Sequence, residues 1–455
     1  MGAGQAVGRC KMQGWAAIRA EVPGLFGLAV PIVVGLAAST LLGVTDSLML
    51  APLGPVPLAA VGLTMSVAII LYAAIYGMLS ALSVRIGAAH GAGEGRRIPL
   101  LLRNGLALGA LVGVTGSAVM AAVWFALPLL GQPPEVLDAM PGYWAAISLM
   151  MIPFAVLTVF KSAFEAVGRP WLGTAFAFVA VVVNIPLNYA LIWGLGPLPQ
   201  LGLTGAGVAS LLAEGVALGV AWLSWARAPG MRRLRLRKPL LRVEMVATFR
   251  EGAPLGALYV AETGAMAVGT LMIGTFGTLA LAGNQVAMSV GSLLYMVPLG
   301  MAGAVSIRVA QAKGAGALAA LRPIVFAALC IVLVWLSGTA AILAIWGRAI
   351  AASITDDPGV VLVAAAIFLV FASMQIADGV QSTMLGALRG LSDTAWPAGV
   401  SIIAYWGVAL PLGWGLAHWA GIGAAGVWMG FGVALVGAGA ALTLRFLART
   451  DAALR

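Results

Sequence analysis

Apolar runs of twenty or more residues follow one another along nearly the whole chain, and that succession leaves few folds open. Each run is long enough to cross a hydrocarbon core about 30 Å thick as an α-helix. A backbone in lipid must satisfy its own hydrogen bonds, which leaves helices or a closed barrel, and runs of this length suit helices. Charged residues make up only 9% of the 455, against about 25% in an average soluble domain. The expected fold class is therefore an all-α integral membrane protein. Twelve spans fit the breaks, at 23–51, 58–84, 104–129, 142–160, 171–193, 203–226, 252–276, 280–307, 323–346, 359–385, 395–417 and 422–444. The opening MGAGQAVGRCKMQGWAAIRAE lacks the apolar core and cleavage site of a signal peptide and reads as a tail over residues 1–22. Cys10 and Cys330 stand far apart, with no spacing that suggests a disulfide framework or a metal site.

The basic residues assign the two sides. Arg85, Arg96, Arg97 and Arg103 fall in one loop, Lys161 and Arg169 in the next but one, then the run RAPGMRRLRLRKPLLRVEMVATFR, then Arg308, Lys313 and Arg322, then Arg389. Together with the two ends of the chain, this side holds 24 of the 25 Lys and Arg, and only Arg348 falls opposite. Cytoplasmic loops carry the positive excess, so both termini are expected in the cytoplasm. The net charge of +10 is then a mark of insertion and of attraction to anionic lipid, and gives no reason to expect a nucleic-acid partner.

The chain also repeats itself. Shifted by 223 positions, PIVVGLAASTLLGVTDSLMLAPLG from Pro31 falls on PLGALYVAETGAMAVGTLMIGTFG from Pro254, and 22 of the 63 positions from Pro31 to Gly93 are identical without a gap. The match fades in the third and fourth spans and returns where EAVGRPW lies over RGLSDTA and GLTGAGVA over GIGAAGVW. The unit is six helices: 23–226 and 251–446, joined by a basic linker over 227–250 and followed by a tail over 447–455. Six is even, so the second copy starts on the same side as the first. The repeats are parallel and pseudo-symmetric, an arrangement found in transporters that bind cargo between two lobes. A channel or a scaffold would show the same repeat.

Nucleotide-driven pumping is not encoded. G-x-x-x-x-G-K-[ST] is absent; the one Lys followed by Ser or Thr is Lys161, with no glycine at the required spacing. Gly421, Gly423 and Gly426 form a G-x-G-x-x-G, but they open a membrane span instead of following a strand, which suits close helix packing. Without a cofactor or a nucleotide domain, the energy source is an ion gradient, or transport is passive.

Four acids lie inside the spans: Asp46, Glu214, Glu262 and Asp378. Glu262 is the one charged side chain between Glu251 and Arg308. No Lys, Arg or His is expected at matching depth; His90 reads as a loop residue and His418 lies near the outer end of a span. Each acid must hold a proton, bind a cation or face water, and such residues mark ion and proton paths. Glu262 is 11 residues past Glu251 and Asp378 is 11 before Arg389. At 1.5 Å per residue both sit roughly 16 Å above the inner boundary, near the midplane, which suggests one shared site. Helix-packing hydrogen bonds are the simpler reading of the same pair. In the first half, Asp46 is expected to meet Asn184 and Asn188, which share a face of the fifth span at i, i+4, with Thr204 opening the sixth. Asn as interhelical glue is the alternative there. Glu214, Tyr72, Tyr76, Tyr259, Gln285, Tyr295 and Gln381 are candidate cavity-lining residues. The aromatic faces of Tyr72, Tyr76, Tyr259, Tyr295 and Trp406 are suited to flat cations, with a lipid-facing or interfacial place as the alternative for most aromatics of the chain.

At these residues the sequence resembles the multidrug and toxic compound extrusion (MATE) family over nearly its whole length. LAVPIVVGLAASTLLGVTDSLMLAPLG is similar to the family's opening segment, with Asp46 at its acidic position. YVAETGAMAVGTLMIGTFGTLALAGNQVAMSVGSLLYMVPLGMAGAVSIRVAQAKGAG is similar to its seventh and eighth helices, with Glu262 at the family glutamate. ADGVQSTMLGALRGLSDT is similar to its tenth-helix motif, with Asp378 at the acidic position. The resemblance implies a V-shaped pair of six-helix lobes, working as a monomer in a bacterial inner membrane and exporting organic cations against inward H⁺ or Na⁺. It implies that Glu262 and Asp378 hold the coupling ion, and that Asp46, Asn184, Asn188 and Thr204 form the N-lobe site. Asn284 precedes Gln285 where histidine is common in the family, and Asn188 stands where some members carry aspartate; the Asn188 departure weakens the N-lobe site, so the C-lobe is favoured for coupling. A lipid-linked precursor flippase of the wider superfamily is the rival reading, but the acidic membrane charges favour a cationic cargo. An intramembrane enzyme is the third, weakened by the lack of histidine and metal-like clusters in the spans.

The charge split makes a direct prediction. A cysteine introduced at Arg235 is expected to stay shielded from impermeant thiol reagents in intact cells and to react once the membrane is opened. External labelling would overturn the twelve-span topology.

Overall fold

The computed structural model describes residues 3–195, 199–227 and 239–454, so Arg235 and the rest of 228–238 in the expected linker lie outside the described residues. Among the described residues, twelve helices are long and apolar enough to cross a membrane. We number them α1 (Ala3–Leu50), α2 (Pro55–Gly91), α3 (Ile98–Ala126), α4 (Pro141–Ala166), α5 (Pro170–Trp193) and α6 (Gly202–Arg227) in the first repeat. The second contains α7 (Arg242–Gly274), α8 (Thr278–Gly314), α9 (Leu321–Ile354), α10 (Pro358–Gly390), α11 (Ala395–Trp419) and α12 (Ala424–Leu454). Most helices exceed the expected spans at the end bearing the basic loops. The stretch expected as an N-terminal tail is already helical from Ala3, and the C-terminal one continues α12. Once lipid has fixed a helix, nothing in these polar flanks stops it.

Prolines start α2 to α5 and α10, where a missing N–H costs nothing because the first helical donors have no partner. The turns repeat with the sequence. Gly54 and Gly277, 223 residues apart, precede α2 and α8 at φ 103° and 97°, and Gly93 and Gly316 follow them at φ 73° and 72°. The loop after α10 departs from this use of glycine: Ser392 takes φ 64° where the first repeat has Gly168 at φ 77°.

Packing divides the chain within helices. One compact unit is Val34–Val260; the other combines Met1–Val33 with Ala261–Arg455. Each unit therefore contains five whole helices of one repeat and the rest of that repeat's first helix. It also contains the basic-end part of the other repeat's first helix. The borders fall two residues after Pro31 in α1 and six after Pro254 in α7, prolines inside helices that loosen the local hydrogen-bond ladder.

Matching contacts hold these exchanged segments. In the Val34–Val260 unit, Arg85 of α2 pairs with Glu244 of α7 and also donates to the Thr248 hydroxyl at 3.0 Å. In the other unit, Arg308 of α8 pairs with Glu21 of α1 at 2.6 Å. Arg85 and Arg308 are repeat equivalents, and so are Glu21 and Glu244. Glycine makes the close approaches possible: a Cβ on Gly77 would run into Tyr259 and Leu255, and one on its equivalent Gly300 into Val33. The ion pairs are partly buried, with side-chain exposures of 13% and 17% for Arg85–Glu244 and 32% and 18% for Arg308–Glu21.

Removing one member of a partly buried pair strands the other charge. Glu244→Ala or Arg85→Ala is expected to lower the Tm in detergent, with the double change costing clearly less than the sum, a coupling of about 1 kcal/mol or more. Arg322–Asp451, whose aspartate is 59% exposed, is expected to show little coupling in the same thermal-unfolding cycle.

Candidate functional site

Two acidic centres form, one in each unit. In the first, Asp46 of α1 closes a ring with three neutral side chains. Asn188 Nδ2 donates to Asp46 Oδ1 at 2.5 Å and to Asn184 Oδ1 at 2.9 Å; Asn184 Nδ2 donates to Ser210 Oγ at 3.0 Å; and Ser210 Oγ donates to Asp46 Oδ2 at 3.0 Å. Both asparagines are fully buried. They lie one turn apart on α5, flanking Pro186, a residue with no N–H to give to the helix ladder. Asn188 Oδ1 is left buried without a partner, an acceptor facing the interior.

The expected meeting of Asp46, Asn184 and Asn188 thus appears in the structure, but the fourth member differs. Thr204 lies against Gly142 at the start of α4, where any Cβ would strike its hydroxyl, and Ser210 occupies the ring instead. Ser210 stands i+6 from Thr204 on α6, on a helix face the sequence alone does not single out. Glu214 lies one turn beyond Ser210 and interacts electrostatically with Tyr72, as does Asp46. The Tyr72 hydroxyl is buried without a hydrogen-bond partner, and its ring meets Phe154 edge-on at 4.7 Å. The expectation that no basic residue shares the acids' depth fails at Glu214. Helix α4 continues through Ala166, which carries Lys161 into the span, and the Lys161 ammonium acts on Glu214. The ammonium lies where a Cβ on Gly35 would meet it at 3.5 Å.

The second centre has Glu262 on α7 and Asp378 on α10. The two carboxyl groups lie within electrostatic reach of each other, as the depth estimate anticipates. A hydrogen bond joins the Tyr405 side chain to Glu262. Tyr405 was not singled out from sequence; the only signal was an apolar stretch holding one tyrosine. Gln381, one turn from Asp378, does not open onto a cavity: it is 2% exposed and donates to Ser401 Oγ at 3.2 Å. Gln285 is exposed on α8, whereas its neighbour Asn284 is buried and accepts from Trp428 Nε1 at 2.8 Å. Tyr76 and Tyr259 meet edge-on at 5.9 Å, and Tyr295 is half-buried on α8.

The centres are not repeat equivalents. Glu262 corresponds to Ser39 and Asp46 to Gly269. Seven residues of helix, about 10 Å, therefore separate the two acids in the repeat frame. On α1 the turns around that offset carry a recess of about 530 Å³, lined by Ser39, Thr40, Gly43, Val44, Ser47 and Leu48.

Comparison with known proteins fits this architecture. The MatE family profile matches residues 31–190 and 254–414, once on each repeat. A curated relative, the probable multidrug resistance protein NorM of Deinococcus radiodurans, is 36% identical over 390 residues, spanning 84% of this chain and 85% of the relative. A protein of the same description in Bradyrhizobium diazoefficiens is 35% identical, over 81% of each chain. Among solved structures, the bent form of the Vibrio cholerae MATE transporter VcmN superposes with a TM-score of 0.83 at 22% identity, covering 96% of this chain and 99% of that one. The protein belongs to the MATE family of membrane transporters.

Proposed function

We propose that the protein is a secondary active multidrug efflux transporter, exporting amphipathic organic cations in exchange for inward H⁺ or Na⁺ by alternating access. The observation that carries this reading is the Glu262–Asp378 pair, two acids from different helices interacting inside the membrane-spanning part of one unit. Desolvated carboxylates attract cations strongly. A cation held between them opposes a second positive charge, and exchange follows if the two ligands disfavour each other. The relatives named as multidrug resistance proteins support the choice of cargo. On this reading the protein is no enzyme, needs no cofactor and has no nucleic-acid partner. It works as a monomer among the lipids of the bacterial inner membrane, with both termini cytoplasmic. H⁺ is favoured over Na⁺: a proton needs one oxygen, whereas a sodium ion needs several, and few polar groups lie near Glu262 on its own helix.

The test is dye efflux in vesicles, first with a pH gradient and no sodium, then with a sodium gradient and no pH difference. Glu262→Gln and Asp378→Asn are each expected to abolish coupled efflux while the protein still inserts. The double mutant should be little worse than either single one, since groups acting as a unit are not additive. Full activity of the double mutant under both gradients would overturn the C-lobe mechanism. Tighter binding of anionic than cationic dyes would favour the flippase reading.

The N-lobe ring is expected to tune transport without carrying the coupling. Ser210→Ala removes the donor to Asp46 Oδ2 and should lower efflux several-fold, whereas Thr204→Ala should leave it near wild type. Side-by-side efflux rates at matched expression check this, and equal effects would remove the ring from the mechanism.

A further inference from the structure

Helix α11 is not a regular α-helix. It carries two π-helical segments, Ile403–Ala409 and Gly415–Trp419, and both reach α7. Isolated π segments are uncommon and concentrate at functional sites. From the first, Tyr405 is hydrogen-bonded to Glu262, and the next residue, Trp406, donates from Nε1 to the carbonyl of Ala261 at 2.9 Å. Successive residues of an α-helix diverge by about 100°, so two neighbours seldom serve adjacent points on one partner helix. The wider π turn lets them do so. Gly264 gives Trp406 its place, since a Cβ there would meet the indole at 3.3 Å. From the second segment, His418 stacks on Trp414 with centroids 3.8 Å apart and meets the Thr275 hydroxyl with Nε2 at 3.0 Å. Helix α11 is thus fastened to α7 at Ala261–Glu262 and again at Thr275, the residue just past the end of α7, about three and a half turns further along.

Tyr405 is 3% exposed, with its ring tilted on Phe431 at 6.2 Å. A buried tyrosine seeks a partner for its hydroxyl, and here the partner is a carboxyl group. When that carboxyl group is ionised, a bond of this kind is shorter and stronger than one between neutral groups. It also fixes a flexible side chain, which Glu262 needs if it is to act with Asp378.

We propose that Tyr405 is a positioning residue of the cation site: its hydroxyl, delivered by the π turn of α11, holds the Glu262 carboxyl group in register with Asp378. This rests on the C-lobe coupling reading above. Tyr405 itself need not touch the ion; it acts through Glu262, and its removal changes how well the site holds the driving cation before it changes how fast a loaded transporter turns over.

The test measures dye efflux in vesicles as a function of the driving-cation concentration. For Tyr405→Phe, which deletes only the hydroxyl, the half-saturating concentration is expected to move about tenfold, with the maximal rate within about twofold of wild type. A packing role would instead lower the amount of folded protein or the maximal rate and leave half-saturation in place. A ring-fluorinated tyrosine at position 405 keeps the fold and strengthens the hydroxyl as a donor. Its half-saturation should move in the opposite direction, so the idea remains testable should Tyr405→Phe accumulate poorly. Glu262→Gln runs alongside. If it abolishes coupling while neither change at position 405 moves half-saturation, the positioning role is overturned and C-lobe coupling stands. If Glu262→Gln keeps full coupled efflux, C-lobe coupling falls, and the role of Tyr405 with it.

Discussion

Hydrocarbon offers neither donor nor acceptor, so a polar group within a span can be satisfied only by the protein. On the C-terminal part of α1, Ser39, Thr40, Thr45 and Ser47 all donate to carbonyls one turn back. Such back-bonding weakens the helix's own ladder and favours bending. Near the end of α10, Arg389 is 5% exposed, yet it donates to Ser306 Oγ at 3.0 Å and to the Ala302 carbonyl at 3.3 Å. The ring at Asp46 follows the same rule with four side chains. Acids stand apart, because neutral partners satisfy their oxygens without cancelling their charge. The exception, Glu214, feels Lys161.

Where the sequence could be read depended on the range of the interaction. Span positions follow from local hydropathy and the repeat from identity at a fixed offset, and both reappear in the fold. Asn184 and Asn188 share a face because both sit on one helix, and Asp46 reaches them because a buried carboxylate has few other partners. The pairing of Glu262 with Asp378 was legible as equal depth, since helix rise converts sequence separation into height. What failed depended on rotation or on helix ends. Thr204 and Ser210 differ by six residues, and only their azimuth on α6 decides which one meets Asp46. Lys161 read as a loop residue because hydropathy falls before α4 ends. Tyr405 reaches Glu262 from a π turn, which has no signature in an apolar stretch, and Gln381 turned to Ser401 for the same want of azimuthal information.

The exchanged helix segments belong to the illegible part too, although their components lay in view. Glu21, Arg85, Glu244 and Arg308 stand at matching places in the two repeats. Within a repeat, the sequence gives no reason to pair Arg85 with Glu244 of the other copy instead of Glu21 of its own. The structure makes the cross choice twice, and in each case a glycine of the receiving helix, Gly77 or Gly300, leaves room for the visiting one. Duplication accounts for the symmetry: a contact compatible with one copy is available to both.

That exchange bears on why the two acids are unlike. Helix α7 passes from one unit to the other between Val260 and Ala261, and Glu262 is the next residue. Asp46 lies thirteen residues beyond the corresponding border at Val33. On the proposed function, a cation bound at Glu262 therefore acts on α7 where the helix changes unit, with Trp406 fastened to the Ala261 carbonyl and Tyr405 to Glu262 itself. A ligand shifts a conformational equilibrium only by its differential affinity for the two states. A site at the crossing feels the geometry of α7 directly, whereas one thirteen residues along feels it through more than three turns of a helix softened by its own hydroxyls. On that proposal the same chemistry, a buried acid among neutral donors, serves coupling in one repeat and the adjustment of a helix in the other.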